Sequence, residues 1–401
     1  MRGFNTLLFV LFALSANAAD GTVGTVSVQK GNNVSVNGEA PLSLTLDGKD
    51  HQSCQFLSKR APDESHEFTW KEVTTTRGGE LAEILGAQLR SVDSLVVKGY
   101  VNDKDFHAMW DASLYGYLSV INLKNAVLEN NAVPDTAFFH ENEQYEGSSH
   151  EIFYYIGLRK IILPEGLEKI GEGAFYQASA LRQVNFPSTL RYIGDFAFNA
   201  TKLEMNQLVI PEGVEEINQY AFAFCRKLKA QVTLPSTIKK IGEWAFYGCP
   251  ITSINLPEGL ESLGSLAFWD CDLREVSIPS SCHEFNEGWQ FGFNRNLEKM
   301  HLPEGMTEIP DHFAVDCFRL REVNFPHTLK HIGEKAFSLC ISLKNVELPL
   351  GMQSLGEEAF SELEALEQIV FPASMKSLGK NSCSYWKNIK RIYCAAMEPP
   401  V

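Results

Sequence analysis

Ten prolines punctuate the chain at steps of 22 to 24 residues: Pro164, Pro187, Pro211, Pro235, Pro257, Pro279, Pro303, Pro326, Pro349 and Pro372. A period of that size marks stacked repeats, so it constrains the fold more than length or composition does. Ahead of each proline an apolar residue usually sits six places upstream, then three, then one, as in Leu181, Val184 and Phe186 before Pro187. That spacing suits a short strand with one face turned inward. Behind the proline come apolar residues at +3 and +6, often Gly at +7, then Ala-Phe at +10 and +11; Leu329, Ile332, Gly333, Ala336 and Phe337 follow Pro326 in this way. The phenylalanine column comprises Phe175, Phe198, Phe222, Phe246, Phe268, Phe337 and Phe360. One unit cannot fold alone, because its few apolar side chains, about 2 kcal/mol each when buried, fall short of the entropy lost in ordering its backbone. Stacking turns both faces of a coil into interior and makes stability a sum of nearest-neighbour terms.

The residues just past the prolines alternate. Glu165-Gly166, Glu212-Gly213, Glu258-Gly259 and Glu304-Gly305 take turns with Ser188-Thr189, Ser236-Thr237, Ser280-Ser281 and His327-Thr328. The pattern reads as duplication of a two-coil unit, with glycine-permitted backbone on one coil and a hydroxyl-stabilised turn on the next. Upstream, Val92, Leu95 and Val97 make one coil, and Leu118, Ile121 and Leu123 another that ends in Ala137-Phe138. Leu81, Ile84, Leu85 and Leu89 have helical spacing, which predicts a short helix capping the open end of the sheet. Ile389, Ile392 and Cys394 form the last strand. Residues 22–28 and 42–46 alternate, so 19–78 is either a small β region or a loosely ordered leader. The glutamate-rich residues 141–151 read as an exposed loop. The chain therefore divides into 1–18, an extension at 19–78, a cap with two irregular repeats at 79–157, regular repeats at 158–394 and a tail at 395–401.

Residues 1–18 read as a signal peptide: Arg2 begins it, residues 7–14 are apolar, and Ala16-Asn17-Ala18 is a small-x-small cleavage site. The apolar stretch is too short to span a bilayer, so export without membrane insertion is expected, to the medium or the cell surface. Fifty acidic against 35 basic side chains give a formal charge of -15, which argues against nucleic acid as a partner.

The register LxxIxLPxxLxxIGxxAFxxCxxL, seen most fully in residues 320–343, resembles the BspA-like leucine-rich repeats of bacterial and some protist surface proteins. The resemblance covers residues 79–394. It implies a leucine-rich-repeat solenoid, mainly β, with a parallel sheet, loops and short helical turns, and an N-terminal helical cap. It also implies adhesion: binding to host-matrix or cell-surface protein, with a glycan-binding module or a structural spacer as alternatives. Coil 279 departs from the register, since Cys282, Phe285, Gly288 and Trp289-Gln290-Phe291 replace the usual residues, and a bulge or kink is expected there.

Five cysteines share the +14 position: Cys225, Cys249, Cys271, Cys317 and Cys340. Side chains parallel in neighbouring coils stand too far apart at Cβ for a disulfide, so they are expected to be free buried thiols. Cys383 and Cys394 allow one further pairing. Catalysis is not expected. Each His-Glu pair (His66, His140, His150, His283) lacks the second histidine of HExxH, and there is no P-loop, no nucleophile elbow and no CxxC. His301, His312, His327 and His331 read as solvated surface positions, and neither a metal site nor a cofactor site is indicated. Two binding surfaces remain. The residues two before each proline should face outward: Asn185, Thr233, Asn255, Ser277, His301, Asn324 and Glu347 make a polar sheet face, flanked by Ile162, Val209 and Val370. At +9, Phe196, Tyr220, Trp244 and Leu266 come from successive coils and should lie side by side, either as an exposed aromatic stripe or as rings leaning over the core edge.

Overall fold

The structure, a computed structural model, describes residues 66–139 and 156–395, together with the backbone of five short strands outside them. The signal-peptide segment, Cys54, the 141–151 loop and residues beyond 395 lie outside the described residues. Two of the outlying strands, Gly24–Gln29 and Asn33–Gly38, pair antiparallel.

The chain forms two compact units. In the N-terminal unit, strands Trp70–Thr75, Ser94–Val101, Val120–Leu128, Lys160–Ile162 and Gln183–Val184 lie side by side in chain order. Trp70–Thr75 pairs residue for residue with Ser94–Val101, so the sheet begins before residue 79. The cap helix is short: Leu81–Leu85 runs into a 3-10 turn at Gly86–Arg90, burying Leu81, Leu85 and Leu89 in the connection between the first two strands. A second helix, Asp103–Tyr115, buries Phe106, Met109, Trp110 and Leu114. Asn102 and Asp105 form its capping box. The buried Asp105 carboxylate also accepts from the amides of Gly79 at 2.7 Å and Leu81 at 2.9 Å, so one side chain anchors both helices. That helix was legible in principle from Asn102-x-x-Asp105 ahead of apolar residues at helical spacing.

In the second unit the strand before each proline forms as the register predicts. Gln207–Val209 pairs in parallel with Gln231–Thr233, and that with Ser253–Asn255. The outer-inner-outer burial of Leu208, Val232 and Ile254 follows from the two-residue period of the strand. The segment after the proline, which the sequence assigns to turns, carries a second parallel column: Tyr192–Ile193, Glu216–Ile217, Lys240–Ile241, Ser262–Leu263 and Glu284–Phe285 pair in succession. The +6 isoleucines and leucines point inward from it. Glycine at +7 lets these coils close up: a Cβ on Gly264 would stand 2.4 Å from the Glu243 amide nitrogen.

The Ala-Phe segment forms a third ladder. In coil 211 the amides of Tyr220, Phe222 and Phe224 donate to the carbonyls of Glu243, Ala245 and Tyr247 in the next coil. The intervening amides of Ala221, Ala223 and Cys225 donate within their own coil, to Asn218, Tyr220 and Phe222. Phenylalanine rings stack inside this ladder at 5.2 to 5.6 Å, from Phe198 through Phe222, Phe246 and Phe268 to Phe291. The expected kink in coil 279 is absorbed without breaking the column: one extra residue moves Phe291 into the stack. In coil 303 the order is reversed to Phe313-Ala314, and the ring turns to 77° against Phe291.

The alternation after the prolines has a mechanical cause. Thr237 Oγ1 accepts from the Gly213 amide at 2.9 Å and donates to the Val214 carbonyl at 2.8 Å, while the Glu212 carboxylate in the same preceding coil accepts from the amide and hydroxyl of Ser236. Ser281 and Ser280 repeat this with Gly259, Leu260 and Glu258. Thr328 and His327 repeat it with Gly305, Met306 and Glu304. Gly213, at φ +97°, supplies the backbone that presents its amide to the hydroxyl. The coils are thus clasped in pairs. Thr237→Val should leave an amide and a carbonyl without that partner and cost about 1–3 kcal/mol, read as a lower urea midpoint at unchanged m. Phe246→Ala should cost about 3–5 kcal/mol, with amide exchange rising only in the adjacent coils.

Candidate binding surfaces

The +9 residues sit where the second column turns into the third ladder, and they hold left-handed backbone: φ is 55° at Phe196, 56° at Tyr220, 57° at Trp244 and 57° at Leu266. Such a conformation costs an L-residue about 1–2 kcal/mol. The inter-coil bond made by each of their amides, or by the +11 and +13 amides beside them, offsets it. The conformation turns the side chains to the edge of the core, where all four are half-buried. Phe196 stacks on Tyr220 at 4.7 Å and 8°, and Tyr220 on Trp244 at 5.2 Å and 15°. The ring faces are therefore covered by one another and the edges meet solvent. Burial, and then the charge on Glu243, raise the pKa of the Tyr220 hydroxyl.

The row is longer than the sequence reading made it. Trp289 donates its amide to Asp311 and so occupies the +9 place of coil 279, hidden in the sequence by the extra residue. His312 follows, stacked on Trp289 at 3.6 Å and 7°. The solvated reading of His312 is thereby corrected: its side chain is 15% exposed, and burial lowers its pKa. Trp269 packs against Trp289 and Phe293, and Arg295 lies over the rings of Phe293 and Phe318. Arg226 lies over Phe224 and pairs with Asp270 at 2.9 Å. Together these residues make an aromatic ridge with arginine along one flank.

The sheet face points outward as expected, with Thr233, Asn255, Ser277 and Glu347 exposed. Asn185 and Asn324 are committed elsewhere: each holds the amide and carbonyl of the preceding coil, at Leu163 and at Leu302, and so acts as a backbone clip. His301 meets Glu275 at 3.2 Å. Val209 and Val370 are exposed apolar points on the face.

The register thiols are free and buried. Each Sγ–H points at the +11 carbonyl of the preceding coil: Cys225 at Phe198, Cys249 at Phe222, Cys271 at Phe246, Cys317 at Phe291 and Cys340 at Ala314, at 2.9 to 3.3 Å. Asn294 Nδ2 takes the same place toward Phe268, and Trp386 Nε1 toward Phe360. At these coils the column supplies a side-chain donor to that carbonyl, which the cysteines alone did not reveal. Burial pushes the Cys317 thiol up to about 12 and those of Cys249 and Cys271 well above the free value. Cys383 and Cys394 are also unpaired.

His331 Nδ1 lies 2.7 Å from Ser354 Oγ, but among the described residues no carboxylate is within 4.0 Å of that ring, and the nearby Gly356 amide is taken by the Ile332 carbonyl. Among the described residues there is no group of three metal-ligating side chains, and no helix is long and apolar enough to cross a membrane.

The family model for the BspA type leucine-rich repeat region matches residues 148–232, 229–330 and 309–397, in six copies. The chain belongs to the BspA-type leucine-rich-repeat family. A leucine-rich repeat protein from Bacteroides ovatus is similar in fold, with a TM-score of 0.55 at 20% identity over 92% of each chain. A leucine rich cell surface protein from Faecalibacterium prausnitzii aligns over 93% of each chain at 17% identity, with a TM-score of 0.38. The comparison with curated proteins found no match.

Because burial raises the folded pKa of Cys249, Cys271, Cys317 and Cys340, these thiols favour this BspA-type fold fully below about pH 8.5, and that support is withdrawn as pH climbs above it. The urea midpoint should therefore fall above pH 9, and fall less steeply in Cys249→Thr/Cys271→Thr, which removes two of the shifted thiols. Equal slopes would show that the thiols are not shielded.

Proposed function

We propose that this is an exported scaffold that binds a protein partner at a cell surface through the +9 aromatic ridge, without catalysis. The observation that carries the reading is the concentration of Tyr, Trp, Phe and Arg on one edge of a rigid array. These are the residue types that dominate binding hot spots, where large apolar area is gained at small entropic cost. Export is supported by the pattern of residues 1–18, and family membership supports recognition of macromolecules. The glycan alternative draws less support. Sugar rings stack on open aromatic faces, whereas both faces of Tyr220 are covered, by Phe196 and Trp244. The polar sheet face is a second surface for contact, reduced by the commitment of Asn185 and Asn324 to the backbone.

Leu266 lies between the two stacked runs. Leu266→Arg keeps an aliphatic stem over the core and sets a charge in the middle of the ridge. Against a panel of purified matrix and cell-surface proteins, the partner bound by the natural chain should bind this variant at least tenfold more weakly, with Tm shifted by only a few degrees. Tyr220→Ser/Trp244→Ser should also abolish binding, at a stability cost of about 2–4 kcal/mol because its rings are half-buried. Unchanged affinity in Leu266→Arg would move binding to the sheet face, where Asn255→Arg is the blocking substitution.

A further inference from the structure

The ridge has a charged flank, and that charge specifies what the ridge binds; the inference rests on the protein-binding reading. The amides of Tyr220, Trp289 and His312 donate to the +8 carbonyls of acidic residues in the following coil, Glu243, Asp311 and Glu334, whereas Phe196 and Trp244 donate to Gln219 and Ser265. Among the described residues no lysine or arginine nitrogen lies within 4.0 Å of Glu243, Glu287, Glu308 or Asp311. The cations near the ridge are largely matched. Lys335 meets Glu334 at 3.0 Å and Glu358 at 3.7 Å, Arg226 meets Asp270, and Arg295 acts on Asp316, countering the burial that raises that carboxyl's pKa.

Beyond the acidic row the surface opens into a groove of about 390 Å³. Its floor is Gly333, Gly356 and Gly379, and its walls carry Glu308, Asp311 and Glu334 with no lysine or arginine. Ser354 and Ser377 keep it open where earlier coils place Tyr192 and Lys240. Ring edges bordered by Glu243 and Asp311, which meet no lysine or arginine among the described residues, and continuous with a groove that carries Glu308, complement a ligand that is apolar along its stem and cationic at its ends.

We propose that this face takes an extended segment of the partner protein bearing lysine or arginine, with the cationic ends at Glu243, Asp311 and Glu308 and the aliphatic stems across the ring edges. The chemistry is complementary in both parts: carboxylates supply steering and orientation, and the ring edges supply buried area.

The test uses the full chain and the peptide acetyl-Lys-Leu-Lys-Leu-Lys-amide, followed by tryptophan fluorescence and calorimetry. Binding is expected, and should weaken at least tenfold between 50 and 500 mM salt and at least tenfold in Glu243→Gln/Asp311→Asn/Glu308→Gln. The substitutions are isosteric, and Asp311→Asn keeps a side-chain oxygen in place of Oδ1 to accept from the backbone amide of residue 334, so the variant should keep its Tm; Glu243→Gln/Glu287→Gln is the milder check should it not. The matching Glu-Leu peptide should not bind. Equal binding of the acidic peptide, of a neutral sugar oligomer in place of either, or of the lysine peptide to the charge-neutralised chain would overturn the proposal. A chain that keeps its protein partner after charge neutralisation but loses it in Leu266→Arg would retain the ridge and discard the basic segment.

Discussion

The backbone bonds that join the Ala-Phe segment of one coil to the next set the terms for the rest of the array. Amides at +9, +11 and +13 donate across to the following coil, and those between them close turns within their own coil, so this stretch has its donors satisfied without a regular strand. Two consequences follow. The +9 residue is forced into left-handed backbone, which turns its side chain out to the core edge and creates the ridge. The +11 carbonyl is left with a second lone pair facing inward, and the +14 column supplies side-chain donors to it. Core and candidate site are thus set by the same hydrogen-bond pattern.

The proline period, the LxxLxL strands and the phenylalanine stack were legible because each is an apolar pattern with a fixed period, and burial enforces such patterns strictly. The second column was not, since a two-residue strand such as Glu216–Ile217 leaves too short a trace to separate from a turn. The left-handed +9 position was invisible for a different reason: Phe, Tyr, Trp and Leu carry no preference for that backbone, and only the inter-coil bonds explain it. The cysteine column could be read as buried from its register, but its role as a donor emerged from Asn294 and Trp386 sharing its place.

At the candidate site, four side chains of the ridge were found from spacing alone, and Trp289 was missed because one inserted residue displaced it from the column. The polar sheet face shows the opposite failure. Asn185 and Asn324 point outward by register, yet each satisfies an adjacent leucine backbone, and an exposed position does not reveal where its amide is spent. The duplication read from Glu-Gly and Ser-Thr proved to be a working device, in which carboxylate and hydroxyl join coils two by two.

Amide hydrogen exchange of the full chain, resolved to single residues, tests the dependence of the fold on this ladder most directly. If the inter-coil bonds hold the array, the amides of Tyr220, Phe222 and Phe224 should exchange as slowly as that of Val232 in the strand column, even though Tyr220 is half exposed. Exchange at Tyr220, Phe222 and Phe224 approaching that of an unstructured chain, with Val232 still protected, would contradict the account.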